Sequence, residues 1–303
     1  MEILIFADVT VAKKVLKDLY PTAAKIDLVE HGYDNVVGLV DRTYAVRFPR
    51  NENAYARSKY EREVLAELGG ITSVNIPKVL GDGDSPPYMI TGFLEGKHYS
   101  LAEIRNFSEQ EQINFGKKVA VFAYEMHARL SIEETLKLRK QFGLDKLEEE
   151  PWDRYLRKMV FEYKFPTDYQ TELAKKYYSL WQELHTETDL VVVHDDLHNE
   201  NMIFDNKELV GVLDFGDTNI GSPEQEFRQL YRINDRVLTA AIEKYQELTG
   251  RTLDIRASRT WAIVQELAAY SERLSKEDRV HPSFLRAMRN LNTWLPDGEW
   301  KYS

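Results

Sequence analysis

One short run of β-forming residues, set between long helical stretches, carries polar groups at a spacing that constrains what the chain can become. It reads Val191-Val192-Val193-His194-Asp195-Asp196-Leu197-His198-Asn199-Glu200-Asn201-Met202-Ile203-Phe204, and then Leu209-Val210-Gly211-Val212-Leu213-Asp214-Phe215-Gly216-Asp217. The apolar segments 202–204 and 209–213 can pair as a hairpin across Asp205-Asn206-Lys207-Glu208, since strand side chains repeat every second residue. If Phe204 faces Leu209, Asn201 lies opposite Val212 and shares a face with Asp214. With the register moved by two, Asn201 faces Asp214 directly. In both cases an amide oxygen and a carboxylate come within roughly 8 Å, a gap that a hard cation can bridge. Asp196 precedes Asn201 on the loop that leads into the same ribbon.

The surroundings of this ribbon differ on its two sides. Residues 8–19 have helical spacing and stop at Pro21, whereas 26–29, 36–40 and 44–48 read as short strands. A helix over 60–68 ends at Gly69-Gly70, and strands at 76–80 and 88–93 flank a turn at Gly81-Asp82-Gly83-Asp84. After Gly96 helical patterns dominate, over 109–130, 152–163, 171–185, 236–249, 257–274 and 282–295. The expected organisation is a β-rich lobe over 1–92 and a helical lobe over 93–303, with a cleft between them as the natural place for a ligand.

Composition narrows the chemistry. The chain has 303 residues, 43% of them hydrophobic, and no cysteine, which removes disulfides, thiolate metal sites and cysteine nucleophiles. No apolar run is long enough to span a bilayer, so the reading is a soluble, cytoplasmic protein with no membrane or nucleic-acid partner. The net charge is −10. Much of it falls between His194 and Asp235, where ten carboxylates meet only Lys207, Arg228 and Arg232. A concentration of acids there suits cations, either Mg2+ or a cationic substrate. Mg2+ takes one or two protein oxygens and completes its shell with phosphate and water, while a separate carboxylate can orient an attacking hydroxyl. The ribbon therefore points to phosphoryl transfer.

The pattern His-x-Asp-x-x-x-x-Asn followed by Asp-Phe-Gly-Asp resembles the catalytic and metal loops of the protein-kinase-like superfamily. Within it the chain is most similar to the aminoglycoside phosphotransferase family, in which glycine or a polar residue stands where protein kinases have arginine, as Asp195 does here. Gly211-Val212-Leu213-Asp214-Phe215-Gly216-Asp217, with Asn219-Ile220-Gly221-Ser222-Pro223 and Glu226-Phe227, looks most like the branch that phosphorylates the 2″-hydroxyl. The resemblance implies an α+β, protein-kinase-like two-lobed fold. It implies Asp196 as catalytic base, Asn201 and Asp214 as Mg2+ ligands, and ATP or GTP as phosphoryl donor. The nucleotide would lie on Gly32 and Asn35 of the phosphate-covering loop, Arg47, its helix partner Glu61, and the hinge residues Thr91 and Phe93. Glu63 is the alternative partner of Arg47. No P-loop or Rossmann glycine pattern occurs.

The segment after Asp214 is short and lacks Ala-Pro-Glu, which disfavours a protein substrate, and no obligate protein partner is evident. Asp217, Glu224, Glu226, Asp235 and Glu266 extend the acidic patch toward the acceptor, so a polycationic small molecule is expected. Three readings follow: an aminoglycoside phosphotransferase, a kinase of another small alcohol such as a macrolide, choline or a sugar derivative, and a nucleotide-binding relative without activity. His127 reads as a core histidine, His194 as a brace of the catalytic loop, His198 as local support, and Glu148-Glu149-Glu150 as a solvated face. Trp181, Trp261, Trp294 and Trp300 read as core or interface.

Overall fold

The structure is a computed structural model, and it describes residues 6–30, 34–147, 152–185 and 188–301. Asp8 starts the first helix, α1 (Val9–Leu19), by accepting the Val11 amide at 2.8 Å. Three strands follow, β1 (Ile26–Val29), β2 (Asn35–Val40) and β3 (Tyr44–Pro49), and then α2 (Glu52–Glu67). Helix α2 begins two turns earlier than the apolar spacing predicts. Its first half buries only small residues, Ala54, Ala56 and Ser58, while Asn51 accepts the Ala54 amide at 2.9 Å and sets the start. Strands β4 (Val79–Asp84) and β5 (Pro87–Gly92) close an antiparallel sheet of order β1-β2-β3-β5-β4. Gly81-Asp82-Gly83-Asp84, expected as a turn, lies inside β4. A register shift between Val79 and Gly81 carries the strand onward, and the reversal falls at Ser85-Pro86.

The rest of the chain is mostly helical. Helices α3 (Leu101–Arg105), α4 (Glu109–Arg129), α5 (Ile132–Gln141), α6 (Leu144–Leu147), α7 (Trp152–Phe161) and α8 (Asp168–Leu184) lead to β6 (Val191–Val193). A 3-10 turn at Asn199–Asn201 then opens the hairpin β7 (Met202–Asp205) and β8 (Glu208–Val212). Strand β9 (Asn219–Gly221) pairs with β6 and is followed by α9 (Pro223–Phe227), a 3-10 turn at Arg228–Arg232, α10 (Asp235–Thr249), α11 (Ile255–Ser275) and α12 (Pro282–Trp294). Among the described residues no helix is long and apolar enough to cross a membrane. Glu148, Glu149, Glu150 and Gly32 lie outside the described residues.

Three apolar clusters hold these parts. Helix α1 covers β1–β3 through Ala12 and Leu16. Helices α7, α8, α11 and α12 enclose Trp181, Trp261, Tyr270 and Trp300. The largest cluster joins α2 to α4, α10 and the β7–β8 hairpin, so the sheet does not stand apart from the helices. Phe204, fully buried between Tyr99, Phe107 and Phe115, contributes roughly 1.5–3 kcal/mol by burial. The backbone stitches the same junction. Asn75 exchanges hydrogen bonds with Val210 and Val212 at 2.7 and 3.0 Å, and Lys97 pairs with Phe204 at 2.9 Å in both directions.

Candidate active site

The hairpin fixes the position of the acids. Phe204 does face Leu209, but the ladder shifts by one residue, so that Ile203 meets Gly211 and Met202 meets Val212. Both regular registers considered for the sequence are therefore replaced by a bulged one. The Leu213 amide donates to the Asn201 carbonyl at 2.9 Å, and Asp214 leaves the strand with a φ of 64°. Asn201 and Asp214 are thereby held at the same end of the ribbon.

Asp196 sits in a ring of donors. Its Oδ2 accepts from the Asn201 amide at 2.9 Å and lies 3.3 Å from His198 Nε2, and its Oδ1 accepts from Gln229 at 3.1 Å. Burial pushes the Asp196 pKa up. The His198 contact and the Gln229 donor outweigh it, and hold the carboxyl well below the usual range. His194 braces the loop from behind, donating from Nε2 to the Leu213 carbonyl at 3.0 Å and accepting the Asp196 amide on Nδ1 at 3.3 Å. The His194 amide in turn donates to Glu226 at 2.6 Å.

Strand β3 and helix α2 deliver the second half of the site. Arg47 Nη1 reaches both Glu61 oxygens at 2.6 and 2.7 Å, and Nη2 reaches Asp214 Oδ1 at 3.3 Å. Glu61 also accepts the Phe215 amide at 3.2 Å. Glu63 pairs with Arg62 on another face of α2, so Glu61 is the partner of Arg47. Burial disfavours the Arg47 charge, but Glu61 and Asp214 hold the guanidinium ionised. Arg57 on α2 lies 3.2 Å from Asp34 and 3.3 Å from Asp217. These side chains line a small recess of about 20 Å³ with Asn35, whose buried Oδ1 has no hydrogen-bond partner among the described residues. Thr91 pairs with Ala45 across β5 and β3, and Phe93 leaves the sheet with its amide on the Thr43 carbonyl at 2.9 Å.

The donor set fits Mg2+. The Asn201 nitrogen is committed to Asp196, which leaves the amide oxygen for a ligand, and the Asp214 side chain is 48% exposed. Among the described residues no three His, Asp or Glu side chains form a metal cage. Two protein oxygens suffice for an ion that keeps water and phosphate in its shell.

The acids expected at the acceptor are arranged differently. Glu226 is buried and turned inward, with His127 Nε2 at 3.3 Å besides the His194 amide. Glu266 is buried under Arg232, Arg286 and Asn290. Both are internal braces rather than surface groups, because each meets its partner from a distant element and lies in the core. Asp235 holds Arg259 through two contacts of 2.7 Å, and Glu224 accepts the Asp254 amide at 3.3 Å. Asp217 shares Arg57 with Asp34. Four carboxylates of this stretch, Asp195, Asp214, Asp217 and Asp235, thus meet arginines that fold against them. Arg57, Trp152, Arg228 and Gln229 were not legible as site residues, since no spacing in the sequence marks them.

The sequence matches the phosphotransferase enzyme family over residues 25–267. No curated protein matches the chain by sequence. Solved structures resemble it over nearly their whole length. The GDP complex of aminoglycoside 2'-phosphotransferase-IIIa superposes with a TM-score of 0.76 at 16% identity, covering 95% of this chain and 98% of that one. The streptomycin–ATP complex of APH(2")-IIa gives 0.64 at 20% identity, covering 93% and 99%. Macrolide 2'-phosphotransferase MphH from Brachybacterium faecium gives 0.64 at 16% identity, covering 92% and 97%. These likenesses carry the kinase-like fold, and the family match carries the rest. The chain belongs to the phosphotransferase enzyme family and is a small-molecule O-phosphotransferase.

Proposed function

We propose that the protein transfers the γ-phosphoryl group of ATP or GTP, with Mg2+, to a hydroxyl of an aminoglycoside. The observation that carries this reading is the convergence of Asp196, Asn201 and Asp214 from the hairpin with Arg47 and Glu61 from β3 and α2. The nucleotide is assigned mainly to residues 1–92, with the adenine or guanine at their edge beside Thr91 and Phe93 and the phosphates beside Asn35 and Arg47. Arg47, oriented by Glu61, offers a planar fork to the phosphates. Asn201 and Asp214 would hold Mg2+, which would neutralise charge building up on the phosphate oxygens. Asp196 receives the acceptor hydroxyl and aims it in line. The donors around it keep the carboxylate ionised, so it can also accept the hydroxyl proton as the bond to phosphorus forms.

The aminoglycoside rests on the 2″-like motif and on the aminoglycoside phosphotransferases of similar fold. A second reading, phosphorylation of a less cationic alcohol such as a macrolide, is favoured by one observation. Glu226 and Glu266 are buried, and Asp217 and Asp235 are paired with arginine, which weakens the case for a polycation. The test is Mg2+-dependent release of ADP or GDP with kanamycin, streptomycin, erythromycin or choline as acceptor. Stimulation by the aminoglycosides alone supports the first reading, and stimulation by erythromycin alone replaces it with the second. Asp196→Asn should lower turnover by about 10²–10⁴-fold while nucleotide still binds. Full activity in that variant would remove Asp196 from its assigned role.

A further inference from the structure

Asp195 stands immediately before the base, and its backbone is left-handed, with a φ of 66°. Glycine adopts that conformation freely, whereas an aspartate must be held there. Arg228 does the holding. Its Nη1 lies 2.7 Å from Asp195 Oδ1, and its Nη2 donates to the Asp195 carbonyl at 2.7 Å, so one planar fork grips both side chain and main chain. Gln225 donates to Asp195 Oδ1 at 2.7 Å, and the Trp152 indole N–H donates to Oδ2 at 3.4 Å. Arg228 is 1% exposed. The rings of Trp152 and Trp261 lie 5.6 and 5.4 Å from its guanidinium carbon. The next residue, Gln229, donates to Asp196 Oδ1. One 3-10 turn therefore grips two consecutive residues of the catalytic loop.

We propose that Arg228 is a positioning residue for Asp196, acting through Asp195, an assignment that rests on the phosphotransfer reading above. The two-point grip fixes the peptide from which Asp196 projects. Lysine would keep the charge and lose the fork. Without the cation, the buried Asp195 carboxylate would be left unpaired and the left-handed turn unsupported. The direction of the Asp196 carboxylate would then drift relative to Asn201.

The experiment measures Mg2+-dependent ATP hydrolysis with water as acceptor, giving kcat and KM, on protein shown to be folded by circular dichroism. Arg228→Met is expected to lower kcat about a hundredfold, with KM for ATP nearly unchanged, as small misplacements of a catalytic group do. Asp195→Gly combined with Arg228→Met is expected to recover about tenfold of that loss, because glycine accepts the turn and removes the unpaired charge. A purely structural role would lower the melting temperature and leave kcat per folded molecule intact. The assignment is overturned by wild-type kcat in folded Arg228→Met, or by a double variant no faster than the single one. If Arg228→Met does not fold, Arg228→Lys decides, with a loss of about tenfold expected and wild-type kcat overturning the assignment. Asp196→Asn separates the two levels. If it hydrolyses ATP at the wild-type rate, the role of Asp196 itself falls; if it is inactive while the Arg228 variants are fast, only Arg228 is wrongly assigned.

Discussion

Asp217 illustrates how a site can store repulsion in one side chain. Partial burial pushes its pKa up to about 7, Arg57 pulls against that shift, and the charges of Asp196, Asp214 and Asp195 add to it. The folded protein therefore holds a proton that the unfolded chain releases near the ordinary aspartate value of about 3.9. With more protons bound in the native state, stability from this group is greatest below that value and declines as pH rises toward 7. The side chain is 47% exposed, so solvent screens the effect to less than about 1 kcal/mol. Without divalent cations, Asp217→Asn should raise the melting temperature at pH 8 by at most about 2 °C, and by about a third of that at pH 5, where the loss has only begun. An equal shift at both values would rule out the titration as its cause. The residue type and position of Asp217 were visible in the sequence, but its pairing was not. The same holds for Glu226 and Glu266, whose partners come from α4, α12 and the turn after α9. A carboxylate at a given spacing carries no mark of whether it faces water or an arginine.

Elements were more legible than side-chain environments, and their failures have physical causes. The long helices α4, α10, α11 and α12 follow their apolar periodicity to within a residue or two at each end. Helix α5 was missed because Leu136 is 54% exposed and the segment buries mainly Thr135 and Arg139 rather than an apolar stripe. The β7–β8 hairpin was found, yet its register was not, since a bulge is a one-residue choice made by tertiary packing. Packing also governs where α4 meets α10. A Cβ added to Gly116 would lie 2.4 Å from the Val237 carbonyl, and backbone cannot move aside as a flexible side chain can. Alanine gains about 1 kcal/mol in helix propensity, while overpacking costs about 1–3 kcal/mol. The clash should win. Gly116→Ala is therefore expected to lower stability in urea denaturation, and a more stable variant would show that the two helices separate at little cost.

Across the whole molecule, cations tie the sheet to the helical part at the place where nucleotide is assigned. Arg47 reaches from β3 to Asp214, and Arg57 reaches from α2 to Asp217 and, across to the β2 side, to Asp34. Other ties are the Tyr60 hydroxyl on the Thr218 carbonyl at 2.8 Å, the Phe215 amide on Glu61 at 3.2 Å, and Arg129 of α4 on the Gly69 and Gly70 carbonyls. Arg47 meets one oxygen of Asp214, at 3.3 Å, so the carboxylate assigned to Mg2+ keeps its second oxygen and about half of its surface open. With only two protein oxygens assigned to it, Mg2+ would complete its shell on phosphate and water, so metal and nucleotide should bind as a unit. ATP with Mg2+ at a hundred times its dissociation constant should stabilise the protein by about 2.7 kcal/mol, which raises the melting temperature by several degrees. Mg2+ alone should do far less, because two protein oxygens without phosphate hold it weakly. Asp214→Ala should remove the Mg2+-dependent part of the shift and keep the shift caused by ATP without metal, since Arg47 remains oriented by Glu61. A full Mg2+·ATP shift in Asp214→Ala would mean that the metal is held elsewhere, and the pairing of Asn201 with Asp214 would lose its purpose.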